Sequence, residues 1–136
     1  MHQVDTRYTP VASDVGKFIK VVATGTGSYS GTVTSEATTA VKIPITAIAA
    51  ITGTLRVTKT LTAGELTPSE ATVSYQWQRS GLTDGTYTNI SGAIGKTYTL
   101  TSYERNKYIR VVATGTGDYS GIVTSATTVQ TISSLQ

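Results

Sequence analysis

The sequence predicts an all-β protein, and three observations lead to that prediction. Threonine, a β-branched residue that suits a pleated surface with one face in water, occurs 28 times among the 136 residues. Short runs of β-forming residues alternate with turn residues about every ten positions, and no segment sustains a helical period. Charged residues make up only 14% of the chain, whereas about a quarter is usual in globular proteins.

A repeat with a period of 90 residues organises the chain. The segment Val21–Gly27 recurs unchanged as Val111–Gly117, and 17 of the 28 positions in 8–35 are identical 90 residues later. Such a period matches a whole β-sandwich domain and is too long for one solenoid turn. We therefore expect a complete unit at 45–131, preceded at 1–41 by the last two strands of another unit. Residues 42–44 then form a linker and 132–136 a tail, and the sequence is expected to be part of a longer protein.

Seven strands are expected in the complete unit. They are placed at 46–54, 58–66, 73–79, 87–90, 96–100, 108–114 and 122–129. The third strand has the clearest pattern, because Val73, Tyr75 and Trp77 alternate with polar residues and so share one face. We expect these three side chains and Tyr108 to lie in the core; the alternative for Trp77, a sugar-stacking platform, is disfavoured by its apolar neighbours. One helical turn is expected within 101–107, with Ser102 as its cap.

A family resemblance is carried by several short segments of the two units. They are Val73–Arg79, Tyr98–Leu100, Lys107–Ile109, Thr116–Gly117, Tyr119–Gly121 and Val123–Ser125. These segments are similar to the bacterial Ig-like repeats of large cell-surface and extracellular proteins, over 44–131 in full and 8–41 in part. The resemblance implies an immunoglobulin-like β-sandwich of about seven antiparallel strands. It also implies an extracellular module that forms a stalk or accompanies other domains.

The stretch from Glu104 to Tyr108 resembles the corner before the sixth strand of immunoglobulin domains. In that family a tyrosine hydroxyl bonds back to the corner backbone, so the resemblance implies a structural role for Glu104 and Tyr108. The cysteine that the family places two positions after this tyrosine is Arg110 here. The chain therefore departs from true immunoglobulin domains at this position.

The residue types favour a non-catalytic protein. The chain has no cysteine and one histidine, His2, and its eight acidic residues do not form the pattern of a calcium loop. We expect no catalytic residue, no cofactor and no metal. The net charge is +3 and the basic residues are scattered; Lys17 and Lys20 recur as Lys107 and Arg110, which is typical of exposed strand positions. This pattern argues against a nucleic-acid partner, and no apolar run is long enough for membrane insertion.

Two functions fit these observations. The leading interpretation is a structural spacer repeat of a secreted or cell-surface bacterial protein. The alternative is an adhesive module that binds glycan or protein through its turn tips or a sheet edge. The candidate recognition residues for that alternative are Asp118, Tyr119 and Tyr29, which lie in equivalent glycine-rich turns. A contiguous patch of Tyr87, Tyr103 and Tyr119 would favour binding, whereas scattered tyrosines would favour the spacer.

The expected partners are neighbouring repeats of the same protein and, for the adhesive alternative, a glycan or a surface protein. A further expectation concerns the incomplete unit, because an isolated hairpin is marginally stable in water. We expect 8–41 to pack on a neighbouring molecule as exchanged or added strands. The result would be a strand-exchanged homodimer.

Overall fold

The structure is a computed structural model that describes residues 6–132. Its secondary structure consists of short β-strands and two 3-10 turns, so the prediction of an all-β protein is confirmed. The chain divides into two compact units, Met1–Ile43 and Pro44–Gln136. They are called unit 1 and unit 2.

Unit 1 contains one antiparallel hairpin. Strand β1 (Val22–Thr24) pairs with β2 (Thr32–Thr34), and every residue of both strands is exposed. A 3-10 turn, Ala12–Asp14, precedes the hairpin, and a two-residue strand, β3 (Ile43–Pro44), lies where the units divide. A hairpin with no buried residue has little hydrophobic stabilisation of its own.

Unit 2 contains the remaining strands and the second 3-10 turn, Ser102–Glu104. The strands are β4 (Ala47–Ile48), β5 (Thr60–Thr62), β6 (Leu66–Thr67), β7 (Val73–Ser80), β8 (Thr88–Asn89), β9 (Thr97–Thr99), β10 (Tyr108–Gly115), β11 (Tyr119–Ser120) and β12 (Ile122–Thr124). Strand β4 pairs with β6, and β5 pairs with β9. A four-stranded antiparallel sheet has the order β12-β10-β7-β8.

The core of unit 2 joins residues of the four-stranded sheet to residues of β5 and the loops. Its buried members are Leu61, Ala63, Trp77, Ile90, Ala93, Leu100, Ile109 and Val111. Trp77 is fully buried, and its indole N–H donates to the Gly95 carbonyl at 2.8 Å. The Trp77 and Tyr98 ring centroids lie 6.0 Å apart. A large buried aromatic side chain with its polar atom satisfied contributes several kcal/mol, on the order of 3.

Of the other three residues expected in the core, Tyr75 is half-buried and packs against this cluster. Val73 is half-buried at the end of β7, where it pairs with Gly115. Tyr108 lies outside the cluster and is also half-buried. Because side chains alternate along a strand, the buried Ile109 on β10 takes an inward position and Tyr108 takes the opposite face.

The observed strands are shorter than the sequence predicts, except for the third and the sixth, which are confirmed and extend by one residue each, to Ser80 and Gly115. The predicted second strand is split into β5 and β6 around Gly64, where a Cβ would lie 2.2 Å from the Ala49 carbonyl oxygen. The first is reduced to β4 and an isolated bridge between Thr52 and Thr62. The helical turn is a 3-10 turn, and its cap is Thr101 rather than Ser102.

The last predicted strand ends at Thr124, because beyond this residue side-chain hydroxyls replace backbone carbonyls as the acceptors of hydrogen bonds from β10. The Ser125 hydroxyl accepts from the Val111 amide at 3.0 Å, and the Thr128 hydroxyl accepts from the Ile109 amide at 3.0 Å. These bonds hold the chain beside β10 without the regular ladder that defines a strand. A serine or threonine gives no sequence signal that distinguishes this arrangement from an ordinary strand position.

The two units repeat the same hydrogen bonds at an offset of 90 residues. In unit 1 the hydroxyls of Ser35 and Thr38 accept from the amides of Val21 and Ile19 at 2.9 and 3.1 Å, as their counterparts do in unit 2. The hairpin register also repeats, since Ala23 pairs with Val33 and Ala113 with Val123. Unit 1 therefore has the local structure of the last part of unit 2.

Candidate functional site

The glycine-rich turns are the first candidate site, and glycine conformation shapes both of them. In unit 2 the Gly115 amide donates to the Gly121 carbonyl at 2.8 Å, and Gly117 and Gly121 have φ of 62° and 97°. The matching glycines of unit 1 have φ of 62° and 96°. L-residues with a side chain rarely adopt these values, so the geometry of the turns requires glycine at these positions. Their pattern thus has a structural explanation.

The three candidate recognition residues are placed differently at the two tips. Tyr29 is 81% exposed, whereas its counterpart Tyr119 is half-buried in β11. Asp118 is exposed beside Tyr119. Each tip thus offers one tyrosine and one small or acidic neighbour, and the tip of unit 1 borders a shallow depression lined by residues that include Gly25, Ser30 and Gly31.

The tyrosines that would indicate a binding patch are scattered over unit 2. Tyr103 precedes β10 and Tyr119 follows it, so the two lie at opposite ends of an eight-residue strand, about 25 Å long. Tyr87 lies elsewhere, with its ring centroid 4.2 Å from the Arg110 guanidinium carbon. Tyr87, Tyr103 and Tyr119 therefore do not form one aromatic surface.

A polar row on the four-stranded sheet was not foreseen from the sequence. Besides its stacking on Tyr87, Arg110 donates from Nε to Gln78 Oε1 at 2.7 Å, and Gln78 Nε2 donates to Asn89 Oδ1 at 2.8 Å. Arg110 is half-buried by these contacts, so its placement as a simply exposed residue is corrected. The row ties β10 to β7 and β8 through two side-chain hydrogen bonds and one stacking contact.

A buried carboxylate, Glu104, is the most strongly organised polar group of unit 2. It is fully buried, and its Oε1 accepts from the Thr101 amide at 2.7 Å, the Thr101 hydroxyl at 2.8 Å and the Tyr98 hydroxyl at 3.0 Å. Its Oε2 pairs with Arg79 Nη1. The tyrosine that reaches this corner is therefore Tyr98. The resemblance implied Tyr108 instead.

The surroundings of Glu104 favour its charged form. Burial raises the pKa of Glu104, but the hydrogen bonds from Thr101, Arg79 and Tyr98 outweigh burial and lower the pKa below its ordinary value. Burial, the hydrogen bond to Glu104 and the charge of Glu104 together raise the pKa of Tyr98 to about 12. Both carboxylate oxygens of Glu104 are engaged and the side chain is fully buried. This arrangement is typical of a structural residue, because it leaves no open space for a substrate beside the carboxylate.

Unit 1 has the same corner with a shorter acid. Asp14 Oδ2 accepts from the Tyr8 hydroxyl at 2.7 Å and from the Val11 amide at 2.9 Å. The Val11 amide and then the Tyr8 hydroxyl lower the pKa of Asp14, while the bond to Asp14 raises the pKa of Tyr8. An acid thus closes a 3-10 turn in both units, Asp14 before β1 and Glu104 before β10.

Other chemistry has little support in residues 6–132. This part of the chain holds no group of three or more His, Cys, Asp or Glu side chains that could bind a metal ion. Unit 1 has an open depression of about 400 Å³, lined by residues that include Tyr8, Ile19 and Val41. Within the described range, no helix has the length and apolar composition needed to cross a membrane.

Comparison with known proteins gives a family and no named relative. No curated protein matches the chain. Residues 46–134 match the family described as "Domain of unknown function (DUF8696)". This range covers most of the chain and nearly all of unit 2. The chain belongs to the DUF8696 family.

Proposed function

We propose that the chain is part of a non-catalytic structural repeat array, in which each complete unit is an immunoglobulin-like β-sandwich. The observation that carries this proposal is the repetition of one hydrogen-bond frame at a 90-residue offset in the two units. A domain copied within one chain, with a short connection between copies, is the arrangement from which stalks and spacers are built.

The sandwich architecture of this proposal is supported by how the core is assembled. Strands β4 and β6 pair, β5 pairs with β9, and an isolated bridge links Thr52 to Thr62 on β5. Leu61 from this group and Trp77 from the four-stranded sheet lie in one buried cluster. Two groups of antiparallel strands that share one core are the elements of a β-sandwich.

The setting of this proposed spacer is the outside of a bacterial cell, in a secreted or surface-anchored protein. Its partners are neighbouring repeats of the same protein, and it needs no cofactor. One support is the resemblance to bacterial Ig-like repeats. The other is that the fold needs no disulfide, because it is stabilised by the packed cluster around Trp77 and by the ion pair of Arg79 and Glu104.

The alternative proposal is an adhesive module that binds a glycan or a protein through its turn tips. One observation favours it: Tyr29 extends into solvent with 81% of its surface exposed, at the tip of a turn shaped by glycines. Exposed tyrosines on rigid turns are common recognition residues.

An amide-correlation NMR titration distinguishes the two proposals. The isotopically labelled chain is mixed with a panel of soluble cell-wall and plant glycans at millimolar concentration. The spacer proposal predicts no shift in the turns 25–31 and 115–121. Concentration-dependent shifts confined to those turns, and lost in Tyr29→Ala or Tyr119→Ala, would replace the spacer with the adhesive module.

A further inference from the structure

Arg110 lies on the outer face of the four-stranded sheet, away from the core. On β10 the half-buried Arg110 alternates with Ile109 and Val111, which are fully buried. The register sets Arg110 opposite Gln78 on β7, and Gln78 opposite Asn89 on β8. Residues that are directly opposite each other on paired strands point to the same face, so these three polar side chains share the outer face.

Two contacts hold the Arg110 guanidinium in one orientation. Its Nε donates to Gln78 Oε1 at 2.7 Å, and its central carbon lies 4.2 Å from the centroid of the Tyr87 ring. The contact with Tyr87 restricts the plane of the guanidinium, and the hydrogen bond restricts its rotation within that plane. The side chain is therefore already ordered before any ligand arrives, which removes part of the entropy cost of binding.

The remaining N–H groups of this guanidinium have no protein partner. Within residues 6–132, neither Nη1 nor Nη2 of Arg110 donates to another residue, and no carboxylate lies within ion-pair distance of it. The charge of Arg79, by contrast, is paired with Glu104. The edge formed by Nη1 and Nη2 offers two parallel N–H groups, which is the arrangement that binds a carboxylate through both of its oxygens.

Asn89 adds a neutral donor to the same row. Its Oδ1 accepts from Gln78 Nε2 at 2.8 Å, which fixes the orientation of the Asn89 amide. Its Nδ2 has no partner in the part of the chain that the structure describes. The Gln78 amide thus lies between a charged fork on Arg110 and a neutral N–H donor on Asn89. A sugar acid presents the matching groups, because hydroxyl oxygens stand beside its carboxylate.

A basic residue occurs at this position in both units. The counterpart of Arg110 in unit 1 is Lys20, which is exposed. In the repeat array proposed above, a polymer with many carboxylates can contact more than one such cation, and each further contact is intramolecular and raises the overall affinity. This repetition favours a polyanion over a single small acid, although the site at Arg110 belongs to unit 2 alone and does not depend on the array.

We propose that the outer face of the four-stranded sheet, at Arg110, Gln78 and Asn89, binds the carboxylates of an acidic polysaccharide. The Nη1–Nη2 edge of Arg110 binds the carboxylate, and Asn89 Nδ2 donates to an oxygen of the same sugar. An acidic peptide fits less well, because Arg110 lies on an interior strand whose backbone already pairs with β7 and cannot accept an added strand. The site is distinct from the turn 115–121, which begins five residues, about 16 Å, further along β10.

The test is an NMR titration of the full chain, isotopically labelled, with an oligomer of galacturonic acid as the probe. The matched probe is the same oligomer with its carboxyl groups methyl-esterified, which keeps the sugar and removes the charge. The expected result is saturable shifts of the backbone amides of Gln78, Asn89 and Arg110 and of the side-chain N–H groups of Asn89 and Arg110. The ester should bind at least about tenfold more weakly than the acid.

Three variants test the roles of the side chains. Arg110→Gln should weaken binding of the acid oligomer by at least about tenfold. Arg105→Gln is the matched control, because it removes the same charge from an exposed residue outside the sheet, and it should change affinity by less than about twofold. Asn89→Asp keeps an oxygen that accepts from Gln78 but replaces the free donor with a charged oxygen, so binding should again weaken by about tenfold. An unchanged indole N–H signal of Trp77 shows that each variant is folded.

Several outcomes would overturn the proposal. The absence of saturable shifts at millimolar acid oligomer would remove the site, and equal binding of the methyl ester would remove the role of the carboxylate. Equal binding of a glutamate peptide with the same number of carboxylates would assign the face to acidic peptides. Equal loss in R110Q and R105Q would reduce the effect to diffuse charge. Shifts confined to 115–121 would place binding at the turn tip.

Discussion

Replacing Glu104 with glutamine tests the buried corner of unit 2. Glutamine keeps an oxygen for the donors from Thr101 and Tyr98, but it presents an amide NH2 group where the carboxylate accepts from Arg79. The guanidinium then faces a donor in place of an acceptor. Because Glu104 is fully buried, water does not readily replace the lost partner.

The size of the effect follows from the exposure of the two partners. Breaking a buried ion pair by removing one partner costs about 3–5 kcal/mol. The Arg79 side chain keeps 31% of its surface in water, so the guanidinium regains part of its hydration when the pair is broken. We therefore expect E104Q to lower the free energy of unfolding of unit 2 by about 2–4 kcal/mol.

Urea denaturation followed by tryptophan fluorescence measures this loss directly. Trp77 is the only tryptophan of the chain and lies in the core of unit 2, so the signal reports on that unit. The control is Glu70→Gln, an exposed acid of the same unit, for which a change within about 0.5 kcal/mol is expected. A loss below 1 kcal/mol in E104Q, comparable with the control, would refute the reasoning.

The same pair of proteins has a defined pH dependence. The folded-state pKa of Glu104 is held below its ordinary value of 4.5. The carboxylate therefore stabilises the wild type fully above pH 4.5, and this contribution is lost as the pH falls through the lower folded-state pKa. The stability difference between wild type and E104Q should shrink in that acid range. A difference that stays constant from pH 7 to pH 2 would contradict the role given to the charge.

Three further substitutions are expected to change the urea midpoint of unit 2. Thr131→Val should stabilise unit 2 by about 1 kcal/mol, because the Thr131 hydroxyl is buried without a partner and unit 1 has Val41 at this position. Destabilisation would mean that the threonine hydroxyl makes a hydrogen bond that valine cannot make. Thr58→Gly should also stabilise unit 2 by about 1 kcal/mol, because Thr58 has a φ of 80°, which is strained for a residue with a side chain. A loss of stability would show that this backbone strain is absent. Gly115→Ala should cost about 1–3 kcal/mol, because its Cβ would lie 2.7 Å from the Ser120 amide nitrogen; a neutral result would contradict that close approach.

Local patterns in the sequence predict the parts of the fold that depend on local rules. The alternation from Val73 to Trp77 marks β7 because a strand with one buried face needs apolar residues at every second position. The glycines of the two turns mark φ values that other residues avoid, as Gly117 and Gly121 show. The 90-residue repeat identifies equivalent positions without any knowledge of their structure.

Contacts between distant residues could not be predicted in the same way. The pairing of Glu104 with Arg79 and the stacking of Arg110 on Tyr87 depend on which strands become neighbours, and no local pattern encodes that choice. The division of the predicted second strand depends on the close approach of Gly64 to another backbone segment. Such features follow from tertiary packing and override strand propensity.

Single-molecule force spectroscopy on a polyprotein of repeated 45–131 units tests the central claim, a mechanical spacer, most directly. The account predicts discrete, equal unfolding steps, each releasing a whole unit at roughly 3.3–3.6 Å of contour length per residue. Between steps the folded units should keep a constant length under load, because β7 and β10 pair along eight residues and share a packed core. Gradual extension without discrete steps would contradict the claim that the unit is a rigid spacer.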